Sequence, residues 1–156
     1  SSDVCSSDLP SRRDGMRLVR GCAFPEDRAY HADYNVWAKR HAPGVIALGA
    51  TAYGVALAIE FFAFMPKPVG TLIEAGRAAG LLELSKSMVS VRSPVPGTIT
   101  EVNLVAVSRP SLIVEDPYGA GWLVRLATHA GLDGLLQGEA VYPAFEAAMA
   151  LENFRA

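Results

Sequence analysis

Two seven-residue stretches, Gly70-Thr71-Leu72-Ile73-Glu74-Ala75-Gly76 and Gly97-Thr98-Ile99-Thr100-Glu101-Val102-Asn103, share Gly, Thr and Glu in register and exchange apolar residues elsewhere. A short internal repeat of this kind marks a supersecondary unit that cannot bury its apolar face alone, so the two copies are expected to share one core. Their apolar and β-branched content reads as strand. The closing residues, Gly76 and Asn103, are the types that best tolerate positive φ, which predicts the same left-handed turn at the end of each copy. Chance similarity between two glycine-led strands is the competing reading.

The copies are offset by 27 residues, which puts their midpoint between Lys86 and Ser87. That midpoint falls in a hairpin pattern. The arms, Leu81 to Leu84 and Met88 to Val91, carry apolar and β-branched residues, and Ser85-Lys86-Ser87 between them is short and polar. Two similar halves related by an approximate two-fold would carry Lys86 at the connecting tip, close to the axis. The local sequence allows two roles for such a lysine: a solubilising surface charge, or a point to which something is attached.

A chain of 156 residues suits one domain with a core of its own. With 51% hydrophobic and 19% charged residues it reads as globular, not disordered. The net charge of −2 supplies no overall basic footprint for nucleic acid. The two cysteines, Cys5 and Cys22, form neither a Cys-x-x-Cys pair nor a His/Cys cluster, which points away from zinc and redox dithiols and fits a reducing, cytoplasmic compartment. Residues 1–15 are polar, lack the apolar region of a secretory signal and are expected to lie outside the fold. The run Ser-Ser-Asp-Val-Cys-Ser-Ser-Asp-Leu at its start resembles translated sequencing-adapter read-through, so Cys5 need not belong to the natural chain. Arg12, Arg13 and Arg17 read as a solvated basic tail.

Between residues 44 and 65 the only charge is Glu60, and the length approaches that of a membrane helix. Gly44, Gly49 and Gly54 make a poor uniform helix, and a carboxylate at the centre of a span costs roughly 2.5 to 3.5 kcal/mol. Three short elements fit better: a strand over Val45 to Ala50, a helix through Ile59 capped by Thr51, and a strand over Phe61 to Met65. An extended segment over Tyr34 to Lys39 is expected to pair with the first of these across Ala42-Pro43-Gly44. Pro66 and Pro68 stop the third strand. Further on, Asp116-Pro117 starts a turn relaxed by Gly119 and Gly121. Trp122, Val124 and Leu126 alternate onto one strand face, with Trp122 as a packing anchor. Pro143 suits the first turn of a helix whose apolar stripe is Phe145, Ala148 and Met149, with Glu146 and Glu152 facing water.

Catalytic signatures do not accumulate. Gly-x-Ser-x-Gly, Walker and dinucleotide-binding glycine motifs are missing from the sequence, and His31, His41 and His129 sit in unrelated contexts that read as surface positions. The pattern is that of a chain to which chemistry is attached.

The residues together resemble the lipoyl-carrying H protein of the glycine cleavage system over about Phe24 to Leu126. Glu74-Ala75-Gly76, Gly80, Glu83-Leu84-Ser85-Lys86, Ser93-Pro94 and Gly97 carry the resemblance, continued by Glu101-Val102-Asn103 and by the segment from Asp116 to Leu123. Upstream, Leu48 to Tyr53 matches the family's passage from strand to helix. The resemblance implies a mainly β (α+β) fold, a barrel-sandwich hybrid of the lipoyl/biotinyl-carrier type with short flanking helices. It implies a carrier domain over residues 22–127 and a helical extension over 128–156 packed on it.

For function, the resemblance implies a non-catalytic carrier with lipoic acid joined to Lys86 as an amide. The arm would shuttle an aminomethyl group between the P protein (glycine decarboxylase), the T protein (aminomethyltransferase) and the L protein (dihydrolipoyl dehydrogenase). Glu83 matches the family's acidic position and is implied as a recognition element for the lipoyl or octanoyl transferase. No metal, nucleic acid or membrane partner is implied. Three departures stand out: Leu84-Ser85 replaces the family's usual Ser-Val before the lysine, Ser87-Met88 replaces its usual small-apolar pair after it, and Asn35-Val36-Trp37 replaces its His-Glu-Trp. They leave open an H-like paralogue serving another lipoyl relay or redox role, or an unmodified interaction module. A biotin carrier fits less well, because serines and not methionines flank Lys86.

Overall fold

The computed structural model describes residue 5, residues 12–13 and residues 15–155. Strands β1 (Arg12–Arg13), β2 (Met16–Val19) and β3 (Cys22–Pro25) form a small antiparallel sheet. The main sheet has six strands: β4 (Ala29–His31), β5 (Val36–Ala42), β6 (Val45–Ala50), β8 (Leu72–Ile73), β11 (Gly97–Val102) and β12 (Val124–Ala127), in the spatial order β4-β5-β6-β12-β11-β8. A third sheet, ordered β10-β9-β7, comprises β7 (Ala63–Pro66), β9 (Ala78–Glu83) and β10 (Met88–Arg92). Among the described residues four short α-helices flank the sheets: α1 (Ala52–Ala58), α2 (Leu104–Ser108), α3 (Ser111–Glu115) and α4 (Val141–Leu151).

Period-two patterning of the central strands builds two cores on opposite faces of the main sheet. Ala38, Leu48 and Val124 lie side by side across β5, β6 and β12, and with Ile46 and Leu126 they face the third sheet, which contributes Phe64, Leu82 and Val91. On the other face, Trp37 and Ala47 join Phe24, Tyr30, Phe145 and Met149 in a second cluster closed by β2, β3 and α4. The result is a mainly β barrel-sandwich hybrid with short flanking helices, as the sequence resemblance implies. No helix among the described residues is long and apolar enough to cross a membrane.

The two repeat copies pair with each other. Thr98 lies opposite Leu72, and Ile99 N–H donates to the Thr71 carbonyl at 2.9 Å, which is the same pairing with the copies exchanged. A local two-fold therefore relates them. Their ends differ: Gly76 takes φ +83°, but Asn103 stays at φ −82° and caps α2, its side chain accepting from Ala106 N–H at 3.3 Å. The expected second left-handed turn is replaced by a helix start, an alternative use of the same short polar side chain.

Other expectations shift in detail. Thr51 caps α1 as anticipated, its hydroxyl accepting from Gly54 N–H at 3.0 Å. The strand expected from Tyr34 starts at Val36, because residues 32–35 form a turn with Asn35 at φ +53°. Trp122 precedes β12 and packs toward the second cluster, while Leu123, Val124 and Leu126 enter the first, so the single-face alternation fails at its first residue.

Arg17 is not in a solvated tail: it sits in β2 and pairs with Glu26 at 3.2 Å and Glu139 at 3.4 Å. The segment set aside over residues 1–15 lies largely outside the described residues. Of what is described, Arg12–Arg13 pairs with β2, and Cys5 is disulfide-bonded to Cys22. Beyond Ala127 the chain runs through loops and a 3-10 turn over Gly138–Ala140 to α4, where Val141, Phe145 and Met149 are buried.

Candidate functional site

The β9–β10 hairpin is pinned along its arms and free at its end. Leu82 lies opposite Val89 and Glu83 opposite Met88; beyond them the Leu84 N–H closes the tip on the Ser87 carbonyl at 2.8 Å. Strand β7 clamps the hairpin from its other side, with Phe62 N–H donating to the Glu83 carbonyl at 2.8 Å and Lys67 N–H to the Ala79 carbonyl at 2.9 Å. Gly80 permits this approach, since a Cβ there would lie 2.9 Å from Pro66 Cα and 3.0 Å from the Met65 oxygen. At the root, buried Ser93 donates to the Val95 carbonyl at 2.6 Å, and Arg92 Nε donates to the Gly76 carbonyl at 2.8 Å.

Lys86 stands at the exposed tip, and no hydrogen bond or ion pair holds its ammonium among the described residues. Glu83 lies on the same hairpin, exposed, and no ion pair joins it to Lys86 among the described residues. The tip is thus a rigidly founded turn that presents a lysine to solvent.

Beside the hairpin runs a groove of about 390 Å³. Leu57, Ala58 and Phe61, from α1 and the link that follows it, face Leu82, Leu84 and Val89 of the hairpin across an apolar floor. Its polar lip holds Asp33, Tyr34, Asn35 and Arg92. The Arg92 guanidinium lies 4.3 Å from the Tyr34 ring centre, and His31 stacks on the ring at 3.7 Å while its Nδ1 accepts from Tyr34 N–H at 3.2 Å. Burial holds the His31 pKa below the ordinary histidine value; Arg92 pushes it the same way and Asp33 opposes. Sequence reasoning missed this groove, because its lip comes from the turn before β5 and the end of β10, which no local pattern links. His31 is half-buried, not at the surface as expected, whereas His41 and His129 are exposed. Among the described residues no group of three His, Cys, Asp or Glu side chains is placed to hold a metal.

The Asp116–Gly121 turn bolts the scaffold together. Trp37 Nε1 donates to the Pro117 carbonyl at 2.9 Å, and the Tyr118 hydroxyl donates to the Ala23 carbonyl at 2.6 Å while accepting from Ala52 N–H at 2.9 Å. Burial raises the Tyr118 pKa well above that of a free phenol, so the hydroxyl keeps the proton it donates.

A family model described as glycine cleavage H-protein matches residues 28–146. The chain belongs to the glycine cleavage H-protein family. The match runs past Ala127 and into α4, so family likeness extends further along the chain than the sequence resemblance indicated.

Among curated relatives, glycine cleavage system H protein 5 of Aquifex aeolicus is 37% identical over 115 residues, covering 71% of this chain and 77% of the relative. H protein 2 of the same organism is 35% identical over 107 residues, covering 69% and 66%. The crystal structure of a glycine cleavage system H protein from Mycobacterium marinum superposes with a TM-score of 0.68 at 29% identity, covering 84% of this chain and all of that one. Membership of the H-protein family supports a lipoyl-carrier role in glycine cleavage.

Proposed function

We propose that Lys86 is the lipoyl attachment point and that the chain is a non-catalytic carrier moving the aminomethyl intermediate between the P, T and L proteins of glycine cleavage. The observation that carries this reading is the position of Lys86: an exposed lysine, unpartnered among the described residues, at the tip of a clamped hairpin, inside the region that matches the family. Joined to Nζ as an amide, the lipoyl group would supply a dithiolane able to accept and hand on the aminomethyl group.

The chain's residues fit that group. Lysine contributes a flexible four-carbon stem, and amide formation removes a charge that would oppose entry into apolar surroundings. The apolar groove along the hairpin offers Leu82, Leu84 and Val89 as a surface on which the aliphatic lipoyl arm can rest between encounters. Tethering raises the effective concentration of the reactive end at successive partner sites. Glu83, three residues before Lys86 and exposed on the same hairpin, serves recognition by the lipoyl or octanoyl transferase. In this reading residues 22–127 are the carrier domain and residues 128–156 its helical extension. The assignment carries with it a cytoplasmic location. The Cys5–Cys22 bond bears no weight against that, because Cys5 lies in the run that resembles adapter read-through.

One observation favours a second reading. Two of the relatives are differently numbered H proteins of a single organism, so H proteins occur as paralogues, and this chain can be one whose lipoyl arm serves another relay. Glycine–bicarbonate exchange separates the two. Lipoylated protein supplied to P, T and L proteins is expected to support exchange; full lipoylation without exchange supports the paralogue.

A further inference from the structure

The face of the main sheet turned away from the Lys86 hairpin carries a second feature, which the carrier reading does not use. Strand β6 turns its small residues, Ala47 and Gly49, to this face, while Ile46 and Leu48 point into the first core. The neighbouring strands rise on either side. Ala47 has Lys39 of β5 as its partner on one side and Arg125 of β12 on the other. The Trp37 ring lies over Gly49, where any Cβ would overlap it. The result is a trough of about 240 Å³ across the middle of the sheet.

Cations line this trough. Arg28, Lys39 and Arg125 all border it, together with His41. Two carboxylates answer them from outside the lining: Asp27 bridges Arg28 at 2.9 Å and Lys39 at 3.0 Å, and Glu101 pairs with Arg125 at 2.6 Å. Positive charge is therefore in excess here on a chain whose net charge is −2. Buried Arg125 Nε has no hydrogen-bond partner among the described residues, and the Arg125 guanidinium stacks 3.9 Å from the ring centre of half-buried Trp122.

The distribution of donors indicates the occupant. A site for a small oxyanion gathers free N–H groups around one point, but Arg28 has already committed its guanidinium to Asp27 and to the Tyr118 carbonyl. The remaining cations are spread from β5 to β12 beside the half-buried Trp122. Arg and Trp at the centre of a patch with charges at its rim suit contact with a protein surface, the rim charges steering approach. We propose that this trough docks an acidic segment of a protein partner, its carboxylates meeting Lys39 and Arg125 while Lys86 stays free on the other side of the sheet. The inference is independent of what Lys86 carries.

The test is an NMR titration of the ¹⁵N-labelled full chain with a hexaglutamate peptide at low and moderate salt. Shifts are expected at the Trp122 indole and along Lys39–His41 and β12, with affinity falling as salt rises. Lys39→Glu is expected to weaken binding about tenfold, whereas Lys67→Glu, the same charge change at an exposed site off the trough, leaves it nearly unchanged. Arg125→Glu gives a second variant should Lys39→Glu disturb folding, which the thermal midpoint reports. The proposal is overturned if the peptide does not bind, if shifts scatter over the surface, or if the Lys39 and Lys67 reversals act alike. It is also overturned if inorganic phosphate reproduces the peptide's shifts and affinity, which would make the trough a small-anion site.

Discussion

Two antiparallel hairpins of similar arm length, β5–β6 and β9–β10, stand on either side of the first core. The β5–β6 pair lies inside the six-stranded sheet, bonded to β4 on one edge and β12 on the other, and Val36–Ala38 and residues 46–50 are buried on both faces. Its tip, Pro43-Gly44, only reverses the chain, with Gly44 at φ +72°. The β9–β10 pair belongs to a three-stranded sheet, is buried on one face, and leaves β10 as an edge. Its tip carries Lys86. Burial on two sides makes the first hairpin a frame; burial on one side, with β7 clamping the arms, makes the second a firm base for an exposed group.

That contrast can be broken by matched truncations. Ile46→Ala in the frame is expected to cost about 3 kcal/mol in urea unfolding, while Val89→Ala, at a side chain 44% exposed, costs under about 0.5 kcal/mol. Equal costs would show that the two hairpins carry the fold alike. Gly49→Ala sharpens the point, since the added methyl must displace the Trp37 ring; a loss of about 2 kcal/mol is expected, with a red-shifted tryptophan emission as the ring moves.

A gain is expected where the frame passes into the display sheet. Ile59, 78% exposed, sits between α1 and β7 at φ +69° and ψ −50°, with Glu60 N–H bonded to the Ala58 carbonyl at 2.7 Å. This is a γ-turn on a β-branched residue, and a strained one. Ile59→Gly is predicted to stabilise by about 1 kcal/mol after glycine's own entropy cost, read as a raised thermal midpoint.

The smallest effect concerns the groove lip. Because the folded-state pKa of His31 lies below its unfolded value, the unfolded chain takes up the proton first as pH falls. The contribution of His31 to stability is complete above the unfolded pKa of about 6.5 and declines below it until the folded pKa is passed. Unfolding measured between pH 5 and 7 should lose part of its slope in His31→Gln.

The frame was largely legible from alternation and punctuation. Val45 to Ala50 reads as a strand with its turn at Pro43-Gly44, Thr51 as a cap, and Pro143 as an early helix position, because each of these signals acts within a few residues. The lysine turn was legible for the same reason. Asn103 was misread because an Asn side chain serves a left-handed turn and a helix cap equally well, and with that cap went α2. Trp122 was misread because the glycine-relaxed turn before it delays the strand, so its partner cluster is chosen by Arg125 and the second core. The groove lip and the basic trough were invisible to local patterns. They assemble from residues far apart in the chain, and only the register of β5, β6 and β12 brings Lys39 and Arg125 to either side of Ala47.

The central claim, that the exposed hairpin displays Lys86 for acylation, is tested most directly by the intact mass of protein co-expressed with a lipoyl transferase and lipoic acid. Wild type is predicted to gain the mass of one lipoyl amide, and Lys86→Arg to gain none while unfolding at the same temperature. A wild-type chain that stays unmodified, or a Lys86→Arg chain that gains the same mass, would contradict the account.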